Sequence, residues 1–279
     1  MIYNLKTCVK LDITDEEELL NDTLHCISQF EDENNEFIDK LIKEGLLNVL
    51  MSLYSNKKLS FFTKRRLCKV LGSLCSGSEE QLIRIIDSNI LQSINCEIHV
   101  CYSKLKLLND EDMKYLNELF LLIGVMISNY KQVCEKVFQG RLVELIKVIT
   151  ESVSNTYVFL NIIKVKYEGI KIFTHAARLG TNKIWTSLIK HKIIHLALSC
   201  LKCYDNDLIL ICLECIQEFL TFSTKLNILN NIIKIDIEND EKFEDFTKLE
   251  NSDNDEIAKT VRRLLSTFWK NDDMILDFK

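Results

Sequence analysis

Apolar residues recur three and four positions apart along this chain, in runs separated by single small or polar residues. Leu67, Val70, Leu71 and Leu74 form one stripe, Leu119, Leu122, Ile123 and Met126 a second, and Leu208, Ile211, Cys212, Cys215 and Phe219 a third. That spacing lines one face of a 3.6-residue helix and predicts long amphipathic helices. Between them lie paired shorter apolar runs, each pair with a turn inside it. They are Phe37 to Leu53 around Gly45, Gln81 to Ile94 around Asn89, Val133 to Ile149 around Gly140, and Lys183 to Leu201 around Lys192. Gly and Asn enter the left-handed region at little cost, so three of the four turns have a local cause. Lys192 is placed by the pattern alone. Thr14 with Glu17 and Ser78 with Gln81 read as capping boxes, and Asn206–Asp207 and Asn254–Asp255 supply oxygens for orphan amides.

The turns are 44, 51 and 52 residues apart. Armadillo and HEAT units repeat every ~40 to 47 residues, so the spacing predicts such units with insertions. The expected fold is all-α: an armadillo/HEAT-like right-handed α-solenoid, a superhelix of about six repeats with one extended concave surface. Residues 15–270 form the repeat domain, flanked by an N-terminal segment, 1–14, and a C-terminal tail, 271–279. Asn95 to Lys106 and the acidic stretch Glu238 to Asp245 are expected to be surface loops.

Composition narrows the class. The 279 residues are 47% apolar and 27% charged, too hydrophobic for a disordered chain, and include no proline. Ordinary usage would give about fourteen prolines, so their absence favours helices over proline-marked strand edges and linkers. A net charge of -6 argues against a nucleic-acid partner. The first ten residues lack an apolar signal core, and the longest uncharged run, Leu119 to Tyr130, has twelve residues against the ~20 of a membrane span. No membrane partner is expected. Eleven cysteines scattered along helical patterns suggest reduced, buried thiols in cytosol or nucleus.

Three segments carry a family resemblance. Leu67 to Gln81, LCKVLGSLCSGSEEQ, followed by Ile85 to Ile94, IIDSNILQSI, resembles the early armadillo repeats of importin alpha. Ile194 to Glu214, IHLALSCLKCYDNDLILICLE, looks like a late repeat of that family. Phe243 to Ile257, FEDFTKLENSDNDEI, with Leu264 to Trp269, LLSTFW, is similar to its last repeat. The matches run in family order over most of residues 24 to 270, as though the middle repeats of a longer array were missing.

The resemblance implies a nuclear import adaptor that binds cargo bearing basic localisation signals, shuttles between cytoplasm and nucleus, and meets importin beta and, through its last repeat, an exportin. In that family the third helix of each repeat presents a Trp and, one turn later, an Asn. Trp rings slot Lys and Arg stems, and Asn amides hold the peptide main chain. The Trp positions fall here at Lys69, Leu121 and Lys171, the Asn positions at Ser73, Val125 and His175, and the next pair at Glu214 and Glu218. Gly77 matches the glycine whose carbonyl meets a buried lysine, and Asn129 stands where the family has an acid. Glu214 and Glu218, with Asp205 and Asp207, form a candidate acidic patch for basic peptide. Residues 1–36 hold two lysines and no arginine, so the basic segment that docks on importin beta is not seen. The alternative is a generic armadillo interaction scaffold with a reassigned groove.

Other chemistry is less well founded. Cys200, Cys203, Cys212 and Cys215 have the order of a four-thiolate zinc site, but both pairs fall at apolar helical positions that suit buried thiols. His191 and His195 lack a third ligand and are expected on partly exposed helix surface. The basic run Lys57, Lys58, Lys64, Arg65, Arg66 and Lys69 is expected to be a solvated face. With no phosphate loop, nucleophile elbow or convergent carboxylates, the expectation is a non-enzyme with no cofactor and no metal.

Overall fold

A computed structural model of the chain describes residues 17–29, 35–104, 109–128, 130–138, 141–152, 159–225 and 230–269. Among these residues it contains helices and turns and no strand. Helix α1 (Glu17–Ser28) is followed by five triplets, each with two shorter helices and a third that is generally longer. They are α2 (Asn35–Lys43), α3 (Leu46–Tyr54) and α4 (Phe61–Cys75); α5 (Glu79–Ile85), α6 (Leu91–Ser103) and α7 (Asp110–Ile127); and α8 (Lys131–Val137), α9 (Leu142–Ser152) and α10 (Phe159–Leu179). The last two are α11 (Asn182–Lys190), α12 (Ile193–Cys200) and α13 (Asn206–Lys225); and α14 (Asn230–Glu238), α15 (Phe243–Lys248) and α16 (Asp255–Phe268). The chain divides into two compact units, residues 1–168 and 169–279.

The turns have the expected backbone. Gly45 has φ 85°, Asn89 φ 67° and Lys192 φ 53°, all left-handed. Lys192 therefore adopts what its neighbours demand without glycine's freedom. The fourth turn, at Gly140, lies outside the described residues. The Ser78–Gln81 capping box is present: the Ser78 N–H donates to Gln81 Oε1 at 2.8 Å and the Gln81 N–H to Ser78 Oγ at 3.4 Å. Asn254 Oδ1 accepts from the N–H groups of Glu256 and Ile257. Two expectations change. The α13 cap is Asp205, whose Oδ1 accepts from the Leu208 N–H at 2.8 Å, and not Asn206 or Asp207. Thr14 lies outside the described residues, and the Glu17 carboxylate instead accepts from Ser60 and Thr63, joining α1 to the start of α4.

The stretch 95–106 is not a loop as far as Ser103, because α6 continues through it with Ile94, Ile98 and Cys101 buried at helical spacing. Within Glu238 to Asp245, only the turn between α14 and α15 is non-helical; α15 begins at Phe243 and buries Phe246.

In the first unit α4 packs against α1 and α7, with Leu67, Val70 and Leu71 fully buried. The uncharged run of α7 is core: Leu119, Phe120, Ile123, Met126 and Ile127 are all 0% exposed. Among the described residues no helix is long and apolar enough to cross a membrane.

Lys64 departs from the solvated-face expectation. It is 5% exposed, and its Nζ lies 2.7 Å from Glu97 Oε1. Tyr115 donates from its hydroxyl to Glu97 Oε2 at 3.0 Å, and Tyr54 OH lies 3.3 Å from the same hydroxyl. Phe61 stacks on Tyr115 with centroids 5.0 Å apart. A buried charge survives only when paired and hydrogen-bonded, and this network supplies both from four helices.

In the second unit α13 packs against α12, α14 and α16. Trp185 of α11 stacks on Phe222 at 3.8 Å and meets Phe219 edge-on at 4.9 Å. Gly180 makes that possible, since a Cβ there would lie 2.2 Å from Trp185 Nε1. Trp269 closes the other end of the unit against Phe243 and Phe246, its indole N–H donating to Glu238 Oε1 at 2.7 Å.

Candidate functional site

The third helices each bury one face and leave a stripe of side chains outside the core. On α4 the stripe runs Phe62, Arg65, Lys69, Ser73; on α7 it runs Lys114, Glu118, Leu121, Val125. Steps of three and four keep each set on one helical face. The expected ladder positions of the first unit, Lys69, Ser73, Leu121 and Val125, are on these stripes. Lys69 is exposed, Ser73 and Leu121 are half-buried, and Val125 is 36% exposed. Asn129 lies outside the described residues.

Charge pairs join the two stripes. Arg65 lies 3.3 Å from Glu111, and Lys69 Nζ lies 3.5 Å from Glu118 Oε1. Burial pushes the Glu118 carboxyl above its usual range, with the Lys69 charge pulling the other way. Ser73 turns its hydroxyl back to the Lys69 carbonyl at 3.2 Å. Arg65 and Arg66 both lie over the Phe62 ring, at 5.3 and 5.1 Å.

Gly77 is buried, and its carbonyl, expected to meet a lysine, accepts a hydrogen bond from the Tyr130 hydroxyl at 3.4 Å. A Cβ at Gly77 would fall 2.0 Å from the Gln81 Oε1 of the capping box. Close packing at a helix start is thus a local reason for this glycine.

In the second unit Lys171 and His175 are half-buried on α10, and Glu214 and Glu218 lie on the exposed side of α13. The two acids are occupied. Arg178 places Nη2 2.7 Å from Glu214 Oε2 and Nε 2.8 Å from Glu218 Oε1. Sequence reasoning missed Arg178, although it falls one turn beyond His175 on the same stripe. Arg263 of α16 reaches α13 from another side, donating to Gln217 Oε1 at 2.8 Å. Asp205 and Asp207 do not join the Glu214–Glu218 pair: they lie at the start of α13, Asp205 as its cap.

Both tryptophans pack within the repeats, Trp185 at 4% exposure, and neither forms an open slot on the ladder.

Cys200, Cys212 and Cys215 are buried and Cys203 is partly exposed. Burial pushes the Cys215 thiol up to about 12 and Cys212 well above its usual value. Among the described residues no three or more His, Cys, Asp or Glu side chains are arranged to hold a metal ion. His191 Nδ1 lies 2.9 Å from the Ser187 carbonyl, and His195 Nδ1 contacts Asp240 Oδ2, so each ring has a local partner.

No family model and no curated protein matches the chain. Solved structures do. A designed armadillo repeat protein in complex with the peptide (KR)4 superposes with a TM-score of 0.71 at 20% identity, covering 95% of this chain and 99% of its own. Computationally designed armadillo repeat proteins for modular peptide recognition give 0.70 at 20% identity, with the same coverage. A further engineered protein gives 0.68 at 16% identity, covering 95% of this chain and 98% of its own. At these identities the likeness concerns fold, and the chain is an all-α solenoid of the armadillo-repeat type.

Proposed function

We propose that the chain is a non-catalytic protein-interaction scaffold that takes an extended segment of a partner protein along the stripes of its third helices. The observation that carries this reading is the ladder itself, with Ser73, Leu121 and Val125 outside the core at positions where packing does not require them. Two features support it: the fold is shared with designed armadillo repeat proteins for peptide recognition, and Leu121 and Val125 give the first unit an apolar step beside its charge pairs.

The test is a displayed peptide library panned on the full chain, with selected peptides measured by fluorescence anisotropy. Val125→Lys is expected to weaken them at least about tenfold, equivalent to ~1.4 kcal/mol. Val100→Lys, at an exposed residue of α6, should leave them unchanged. Binding indifferent to Val125→Lys would reject the ladder as the site.

The narrower reading is a nuclear import adaptor for basic-signal cargo, acting between cytoplasm and nucleus with importin beta and an exportin as partners. One observation favours it: Glu214 and Glu218 have the spacing to hold a guanidinium, and Arg178 supplies one from within the chain. Arg178→Gln should then raise affinity for a (Lys-Arg)4 peptide at least about tenfold by freeing both acids. No binding by either protein at about 100 μM, equivalent to ~5.5 kcal/mol, would remove the basic-cargo reading.

A further inference from the structure

The start of α4 carries a cluster that the fold does not consume. Phe62 is 40% exposed, and two guanidinium carbons lie over its ring, Arg65 at 5.3 Å and Arg66 at 5.1 Å. Both are inside the ~6 Å within which a cation is drawn to an aromatic face. One ring thus holds two planar forks together at the protein surface. Lys57 and Lys58, exposed in the turn before α4, add positive charge at the same end.

The cations of α4 differ in how they are paired. Lys64 faces Glu97, Arg65 faces Glu111 and Lys69 faces Glu118. Arg66 is the exception: among the described residues no acid lies within ion-pair distance of it, and its Nε is buried without a hydrogen-bond acceptor. Polar groups covered by protein are normally bonded, so an arginine held against a ring without an acceptor needs an explanation. Charge points the same way. Arg65, Arg66 and Lys69 meet only Glu111 and Glu118 across α7, which leaves one positive charge uncompensated. A guanidinium presents its N–H donors as a fork that matches a carboxylate, and two forks on one ring suit a carboxylate accepting from both. A phosphate backbone is the poorer match, because two acids lie among these cations and the chain's net charge is -6. An aromatic ring with arginine is also the pairing that anchors protein interfaces.

We propose that the Phe62–Arg66 corner of α4 docks an aspartate or glutamate side chain of a partner protein, its carboxylate accepting from the two guanidiniums beside the Phe62 ring. This deepens the ladder reading and rests on it, since Phe62 heads the α4 stripe, and it places an acidic residue in the segment that crosses α4.

The experiment uses the full chain labelled with ¹⁵N at arginine Nε, the Arg65 and Arg66 signals being assigned by Arg65→Lys and Arg66→Lys. Acetyl-Gly-Glu-Gly-amide is titrated against its neutral counterpart, acetyl-Gly-Gln-Gly-amide. The glutamate peptide is expected to shift both signals saturably in the millimolar range and to leave that of the exposed Arg141 in place, while the glutamine peptide shifts none of them. Arg66→Gln, read at Arg65, should weaken the glutamate peptide about fivefold, the effect of one charge contact in water. Phe62→Ala should weaken it as well. The titration needs no other ladder contact, so it can fail while the Val125→Lys test succeeds, and the reverse. No saturable shift up to about 20 mM would overturn the proposal. So would an equal response to the glutamine peptide, an equal shift at Arg141, or an affinity unchanged in Arg66→Gln. Tighter binding of dimethyl phosphate, a monoanion with the chemistry of a nucleic-acid backbone, would overturn it in favour of that partner. Phe62 is exposed and Arg66 half-buried, and matched thermal melts check that each variant keeps its fold.

Discussion

The Lys64–Glu97 pair offers the sharpest stability test in the first unit. The two side chains are 7% and 14% exposed and 2.7 Å apart, and Tyr115 donates to the second carboxylate oxygen. Lys64→Met keeps most of the stem's packing and removes the charge, leaving Glu97 nearly buried with the Tyr115 hydroxyl as its hydrogen-bond donor. Removing one member of a buried pair typically costs ~3 to 5 kcal/mol. The slight exposure of Glu97 favours the lower end. With a urea slope of about 3 kcal/mol/M for a chain of this size, the unfolding midpoint should fall by about 1 M.

Lys64→Met/Glu97→Leu removes both charges and should recover to within about 1 kcal/mol of the native chain, because desolvation offsets most of the Coulomb attraction in the intact pair. The assay is urea unfolding followed by circular dichroism for both single variants and the double. The expected coupling energy is about 2 kcal/mol or more. A single variant within about 0.5 kcal/mol of the native chain, or additive single effects, would refute the reasoning.

Gly180→Ala should cost about 1 to 3 kcal/mol and change the near-ultraviolet dichroism of Trp185, because the added methyl group lies 2.2 Å from the indole nitrogen. Lys192→Gly should stabilise by roughly 0.5 to 1 kcal/mol in thermal unfolding by relieving a left-handed backbone at φ 53°. Burial raises the Asp240 carboxyl, but hydrogen bonds from His195 and the Lys242 N–H pull it net below its usual value. Its stabilising contribution is therefore present above the unfolded value, ~3.9, and lost as pH falls through the folded one. Asp240→Asn should be less stable than the native chain at about pH 6, with the gap closing toward about pH 2, in denaturant titrations across that range. Burial pushes the Cys75, Cys101, Cys134 and Cys215 thiols up to about 12. A native-state thiol reagent at about pH 8 should label the exposed Cys26 and Cys96 well ahead of these four, as read by peptide mass mapping.

Much of the scaffold was legible because its causes are local. The turns at Gly45 and Asn89, the Ser78–Gln81 box and the Asn254 cap depend on residues within one turn of chain. The α6 extension was legible too, in Ile94, Ile98 and Cys101, but Asn95 and the nearby polar residues masked it. The α13 cap was misplaced by one residue because Asp205, Asn206 and Asp207 have similar capping chemistry, and backbone geometry selects among them.

The sequence placed the candidate ladder residues on helices and left their charge partners unread. The ladder positions were what the family resemblance implied, and Lys69, Ser73, Leu121, Val125, Glu214 and Glu218 lie on third helices outside the core. Their partners were not found. Glu118 lies 49 residues from Lys69, and Arg178 lies 36 and 40 residues before its two acids. These separations reflect one repeat of chain, and no local preference encodes them.

The sequence by itself determined that this protein is helical, repetitive and apolar on one face of each element, because periodicity, turns and caps act within a few residues. Only the tertiary structure decided which charges are spent within the molecule. Lys64 became core through Glu97, the carbonyl of Gly77 found Tyr130, and the acids of α13 took Arg178. Each outcome depends on groups that repeat stacking brings within hydrogen-bond reach, where a bond that is charge-assisted for Lys64 and Arg178 and neutral for Gly77 replaces the water that a sequence reading must assume.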